Sequence, residues 1–275
     1  MRARDVDPED LYPAYNLTGV PIDHFHNDTF YEPHSNGTFN LRYWFDATYY
    51  KPGGPVIALM SGETSGEDRL PYLQNGIVYQ LAKAVGGLGV ILEHRYYGTS
   101  FPVPDLSVEN LRFLTTDQSL ADTAYFAKNV QFPGLNVSLT APDTPWIVYG
   151  GSYAGAYVAF LRKLYPDVFW GAIGSSGVPE AIVDYWNYYE AVRKYGPQPC
   201  VSNTQKIVQV IDGILIGKNG TTLVQQLKDV FGLGNVTDDR DFANTLSGGI
   251  TGWQGMELSA SLIAIFLKRS MLIHV

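Results

Sequence analysis

The sequence predicts an α/β protein built on a mostly parallel, doubly wound sheet. Three observations carry that reading. Short apolar runs recur at 55–60, 88–93, 146–149 and 170–175, without the polar alternation of a half-exposed strand. Helix-like segments at 73–85, 116–130 and 153–165 separate them, the rhythm of parallel strands with helical crossovers. Finally, Gly150-Gly151-Ser152-Tyr153-Ala154-Gly155 stands where a strand pattern passes abruptly into a helix pattern.

In chain order, residues 1–40 are turn-rich and aromatic, with little periodicity. Residues 41–49 read as a strand, and Lys51-Pro52-Gly53-Gly54 as a turn. The run P-V-I-A-L-M at 55–60 is the first buried strand, and Ser61-Gly62-Glu63-Thr64-Ser65-Gly66 is the loop that leaves it. Segment 116–130 spaces Ala and Leu along one helical face. After residue 176 the texture changes: 178–195 and 204–231 look helical, Gly196-Pro197-Gln198-Pro199 joins them, and no buried strand run follows. The reading is therefore 1–176 for the sheet domain, 177–255 for the start of a helical insertion, and 256–275 for a tail of different character.

The hexapeptide around Ser152 carries the chemistry. A serine on a tight turn between strand and helix is held in a strained conformation at the top of a sheet, and small neighbours let the two backbones cross. Ala154 stands where the pattern G-x-S-x-G has its second glycine, a small departure. The helix N-terminus directs backbone N–H groups, that of Tyr153 first, at an oxyanion formed beside the serine. Ser152 as a plain N-cap in a Gly-rich turn fits the same residues. In an open α/β sheet ligands lie beyond the carboxyl ends of the strands, which brings the 61–66 loop within reach of Ser152. Gly62 or Glu63 is the expected source of a second oxyanion N–H, against the alternative of an ordinary turn.

Composition excludes some partners. The formal net charge is −8 and no run of Lys and Arg could track phosphates, so nucleic acid is not expected. The apolar run of ten residues at 258–267 is too short for a membrane span. Six N-x-S/T sequons, at Asn16, Asn27, Asn36, Asn136, Asn219 and Asn235, point to a glycosylated protein of the secretory pathway, although residues 1–10 lack a signal-peptide core. Cys200 is the only cysteine, and an odd cysteine in such a protein suggests a partner elsewhere.

The motifs Glu93-His94-Arg95-Tyr96-Tyr97-Gly98-Thr99-Ser100, Leu111-Arg112-Phe113-Leu114-Thr115, Asp117-Gln118-Ser119-Leu120-Ala121-Asp122 and the Ser152 hexapeptide occur in the order of a known family. With Ile22-Asp23-His24-Phe25 near the start, the chain resembles the lysosomal Pro-Xaa carboxypeptidase family over roughly 19–255. Asn40-Leu41-Arg42-Tyr43-Trp44-Phe45 and the 61–66 loop look most like its secreted fungal branch. The resemblance implies an α/β-hydrolase fold with an inserted helical cap. It implies Ser152 as nucleophile and cleavage after proline in peptide substrates, in a lysosomal, vacuolar or extracellular setting. The family's acid and histidine follow the cap, so the resemblance places both in sequence beyond this chain, which alone is expected to be unstable and inactive. An esterase or lipase-like hydrolase on the same fold, or a non-catalytic fragment, are the alternatives.

Other candidates are weaker. His274 follows Ser152 but lies in the tail with no strand before it. His94, beside Arg95, suits packing or a salt bridge. His24, His26 and His34 near the N-terminus form only a weak candidate set for a metal site, which needs convergent ligands at short spacing, and no metal or cofactor is expected. Tyr and Trp residues at 185–189 suit either a substrate cleft or core packing. Cys200 is expected to pair with a cysteine beyond residue 255, the alternative being a buried free thiol.

Overall fold

The computed structural model describes residues 6–183, 185–217 and 221–251. The chain divides into two compact units, 1–181 and 182–275.

The first unit holds one six-stranded sheet: β1 (Tyr15–Pro21), β2 (Thr38–Asp46), β3 (Val56–Met60), β4 (Leu88–Leu92), β5 (Trp146–Gly151) and β6 (Gly171–Ser175), in the order β1-β2-β4-β3-β5-β6. β1 and β2 run antiparallel to their neighbours, while β4, β3, β5 and β6 are mutually parallel. Its helices are α1 (Pro8–Leu11), α2 (Pro71–Gln74), α3 (Ile77–Val85), α4 (Val108–Leu111), α5 (Thr116–Asn129) and α6 (Tyr153–Leu164).

Every residue of β3 and β4 is buried, because helices cover both faces. The two-residue period of a strand divides their side chains. Ile57, Leu59 and Ile91 pack with Leu70, Leu73 and Val78 around α2 and α3. Val56, Ala58, Met60, Val90 and Leu92 share a core with Leu120, Ala124, Ala127, Tyr157, Val158 and Leu161 of α5 and α6. Each fully buried Val or Leu contributes roughly 1.5–3 kcal/mol.

The chain leaves β3 toward β4 on one side and returns with β5 on the other. The carboxyl ends of β3 and β5 therefore lie side by side at the switch point of the sheet, where open α/β proteins bind their ligands.

Several elements differ from expectation. Residues 15–21 form a strand, although Gly19 at φ 78° and a bulge between Leu17 and Val20 erase its alternation. The helix expected over 73–85 is two pieces, α2 and α3, interrupted at Asn75-Gly76.

Residues 178–183, expected to begin a helix, are not helical; in the second unit a 3₁₀ turn at Trp186–Tyr189 precedes α7 (Glu190–Tyr195). α8 (Gln198–Leu215) begins inside the expected Gly196–Pro199 connector, because a first turn tolerates Pro199, whose missing N–H would be unpaired there anyway. A single helix over 204–231 is replaced by the end of α8 and by α9 (Thr222–Val230), and α10 (Asp239–Thr251) follows. Buried Lys228 of α9 donates to the carbonyls of Val236 and Thr237 and pairs with Asp239 at 2.7 Å, tying α9 to the start of α10. The tail at 256–275, with His274, lies outside the described residues.

Candidate active site

Ser152 occupies the corner between β5 and α6 with φ 56° and ψ −123°. A non-glycine residue at positive φ is costly, by about 1–3 kcal/mol, and is kept only where its surroundings impose it. Here they do. The Ser152 N–H donates to the Ser175 carbonyl of β6 at 3.0 Å, and the Ser152 carbonyl accepts from Gly155 N–H at 3.0 Å. A β-carbon on Gly150 would fall 2.0 Å from the Ala154 carbonyl oxygen, so only glycine permits the crossing. One on Gly155 would fall 2.8 Å from the Ser175 oxygen.

Ser152 holds the N-cap position of α6, yet its side chain makes no capping hydrogen bond and the residue is exposed. The plain N-cap reading thus loses its hydrogen bond. Tyr153, as the first residue of α6, has no carbonyl one turn back within the helix to receive its N–H.

The 61–66 loop reaches this corner. Gly62 has φ 74°, and a β-carbon there would lie 3.6 Å from Ala154 Cβ. Ala154 Cβ therefore faces the loop at Gly62. Arg69 Nε donates to the Ser61 carbonyl at 3.1 Å, while the Ser61 hydroxyl is buried without a partner among the described residues.

Beside the elbow is a cavity of about 210 Å³, lined by Glu63, His94, Arg95, Tyr97, Leu114, Thr115, Thr116, Ser119 and Tyr153. His94 is its buried wall. The imidazole lies 4.5 Å, centroid to centroid, from Tyr157 and 6.2 Å from Tyr153, and its Nε2 has no partner among the described residues. Burial lowers its pKa to about 4, against the upward pull of Asp122 and Glu93, so the ring is neutral. Burial likewise raises the Tyr153 hydroxyl, which interacts with Thr116, and the Tyr97 hydroxyl, with Glu63 adding to both rises.

Two buried charge networks fix this wall. Arg95 grips Asp122 with Nε and Nη2, each at 2.6 Å, and donates through Nη1 to the carbonyls of Ile22 and Phe113. The Glu93 carboxylate accepts from Arg42, from the N–H groups of Gly66, Thr99 and Ser100, and from the Ser100 hydroxyl. Burial alone would raise the Glu93 pKa; these donors, Arg42 foremost, hold it below the ordinary carboxylate range. His94 therefore sits between two salt-bridged residues and joins neither pair.

Of the remaining candidates, His24 bonds to Asp122 through Nε2 at 2.8 Å, whereas His26 and His34 converge on Asp23. Tyr185, Trp186 and Tyr188 are exposed. Cys200 lies in the first turn of α8 rather than in an inter-helix turn, is half-buried, and is free. Asn16, Asn27, Asn36, Asn136 and Asn235 are all exposed; Asn219 lies outside the described residues. Among the described residues, no helix is long and apolar enough to cross a membrane. Sequence reasoning missed the cavity wall from Tyr97, Thr115, Thr116 and Ser119. Their motifs were visible, but not that α5 lies against the 93–100 loop.

The strand order, the switch point and a serine at positive φ leading directly into a helix define an α/β-hydrolase fold. The profile of the family described as serine carboxypeptidase S28 matches residues 21–256. The chain belongs to that family. It is 60% identical over 254 residues to a protein of Arthroderma benhamiae named "Probable extracellular serine carboxypeptidase", covering 92% of this chain and 35% of that one. It is 36% identical over 235 residues to serine protease vicPb of Bipolaris victoriae, with 84% and 42% covered. It is 34% identical over 160 residues to the human thymus-specific serine protease, with 57% and 30% covered. The chain thus spans less than half the length of these relatives.

Proposed function

We propose that this chain carries the nucleophile half of a serine peptidase that cleaves peptides after proline. The single observation behind the reading is Ser152, held at φ 56° at the sheet's switch point with its hydroxyl uncapped. In this role Ser152 Oγ attacks the peptide carbonyl. Tyr153 N–H and an N–H of the Gly62-Glu63 loop receive the oxyanion, and an acyl-enzyme forms before hydrolysis. The acid and histidine of the triad follow the nucleophile in this fold, and we assign both to sequence C-terminal to residue 255. The helical unit from residue 182 is then the beginning of a cap, with no cofactor needed. The extracellular relative and the five exposed sequon asparagines support a secreted glycoprotein, with a vacuolar or lysosomal setting as the alternative.

Kinetics on the full-length protein test the reading. Turnover of a peptide with an internal proline, lost in Ser152→Ala, is expected. Hydrolysis of p-nitrophenyl esters without cleavage after proline would assign the same elbow to an esterase.

A further inference from the structure

The segment between β1 and β2 brings three metal-ligand side chains together. Asp23, His26 and His34 each offer one ligand atom, and these atoms all lie within 4.8 Å of one another. Asp23 follows β1 by two residues and His34 precedes β2 by four. The chain between them turns through a 3₁₀ turn at Thr29–Tyr31 and returns to the same spot.

The carboxylate is fixed in place. Asp23 is 1% exposed, its Oδ1 accepts from Phe25 N–H at 2.9 Å and from Gln118 Nε2 at 2.8 Å, and its Oδ2 faces His34 Nδ1 at 2.7 Å. Gln118 is itself oriented, accepting from His24 N–H at 2.9 Å. This is the outer support that ligand carboxylates need to keep their geometry. The His26 ring is exposed and lies 5.3 Å from the His34 ring, and among the described residues it makes no hydrogen bond. Both of its nitrogens are available. His24 is excluded, because Asp122 holds its Nε2.

We propose that Asp23, His26 and His34 bind a divalent transition-metal ion, Zn²⁺ foremost. Two imidazoles and a carboxylate match the ligand preference of this borderline ion, and three protein ligands leave a fourth position for water. The ion clips the 23–34 loop onto the buried Asp23–Gln118 pair. The competing account is an Asp23–His34 pair with His26 merely stacked beside it, and the two accounts differ in what His26 does.

Calorimetric titration of Zn²⁺ into metal-free full-length protein, with melting followed in parallel, separates them. One ion per chain is expected, with a rise in Tm on binding. His26→Gln leaves the Asp23–His34 contact intact, so its metal-free Tm should match the parent. Its Zn²⁺ affinity should fall at least about tenfold and the Tm rise should vanish. Gln118→Leu should weaken binding by about 10–100-fold. No saturable Zn²⁺ binding by the parent, or parent-like binding by both His26→Gln and His34→Gln, overturns the proposal.

Discussion

Gly150 and Ala154 approach so closely that a β-carbon on Gly150 would lie 2.0 Å from the Ala154 carbonyl oxygen. The obstacle is backbone, so no rotamer change relieves it. Gly150→Val must push α6 off the end of β5 and relax Ser152 from its positive φ. The expected cost is roughly 3 kcal/mol of stability with loss of reactivity at Ser152. Denaturant unfolding and active-site titration check it; a stable, fully titratable variant would show that the crossing does not hold the elbow.

His94 ties stability to pH with a sign that can be worked out. Its folded pKa of about 4 lies below its ordinary value of 6.5, so the unfolded chain binds the proton more readily. The stabilisation is full above about pH 6.5 and is lost as pH falls toward 4, reaching on the order of 3 kcal/mol. Glu93, whose pKa is lowered, loses its contribution only below its ordinary value of 4.5. Between about pH 6.5 and 5 Glu93 therefore adds no slope, and the difference in slope between the parent and His94→Leu reports His94. Melting curves of His94→Leu should be flatter than the parent's over that window. An unchanged slope would mean that the imidazole is already charged when folded.

Arg95 and Asp122 form the buried pair behind the cavity, with side chains 1% and 3% exposed. Asp122→Ala leaves the guanidinium buried against carbonyls with no counter-charge, at a cost of about 3–5 kcal/mol. It also frees the His24 ring and loosens the Ile22–Phe25 segment that Arg95 holds at the Ile22 carbonyl. Chemical denaturation measures the loss. A change below about 1 kcal/mol would show the pair to be solvated.

How much of this was legible in the sequence depended on range. β3 and β4 announce themselves, because strands buried on both faces are apolar throughout. β1 does not, because Y-N-L-T-G-V-P combines an edge position, a bulge and a glycine at positive φ. The break at Asn75-Gly76 is a local signal that a smooth apolar pattern hid. At the site, Ser152 is readable from six adjacent residues and the 61–66 loop from its place after a strand. His94 was readable as packed, but its partnerless Nε2 depends on where α5 and α6 come to rest. The same holds for Asp23, His26 and His34: the carboxylate joins the two histidines only once the chain turns back at Thr29–Tyr31.

We propose that Cys200 is bridged to a second cysteine and that the exposed sequons are occupied. Such a bridge typically contributes about 2–4 kcal/mol. Non-reducing peptide mapping of secreted material should find Cys200 linked to a second cysteine, and glycan on one or more of Asn16, Asn27, Asn36, Asn136, Asn219 and Asn235. A free Cys200 together with six bare asparagines would contradict the secretory assignment.

The most direct test is to treat the full-length protein with a fluorophosphonate probe and map the adduct by mass spectrometry. An elbow serine at φ 56° with an uncapped hydroxyl predicts one modified residue, Ser152, and no labelling of Ser152→Ala. An adduct on another residue, or equal labelling of parent and variant, would contradict the assignment of Ser152 as the nucleophile.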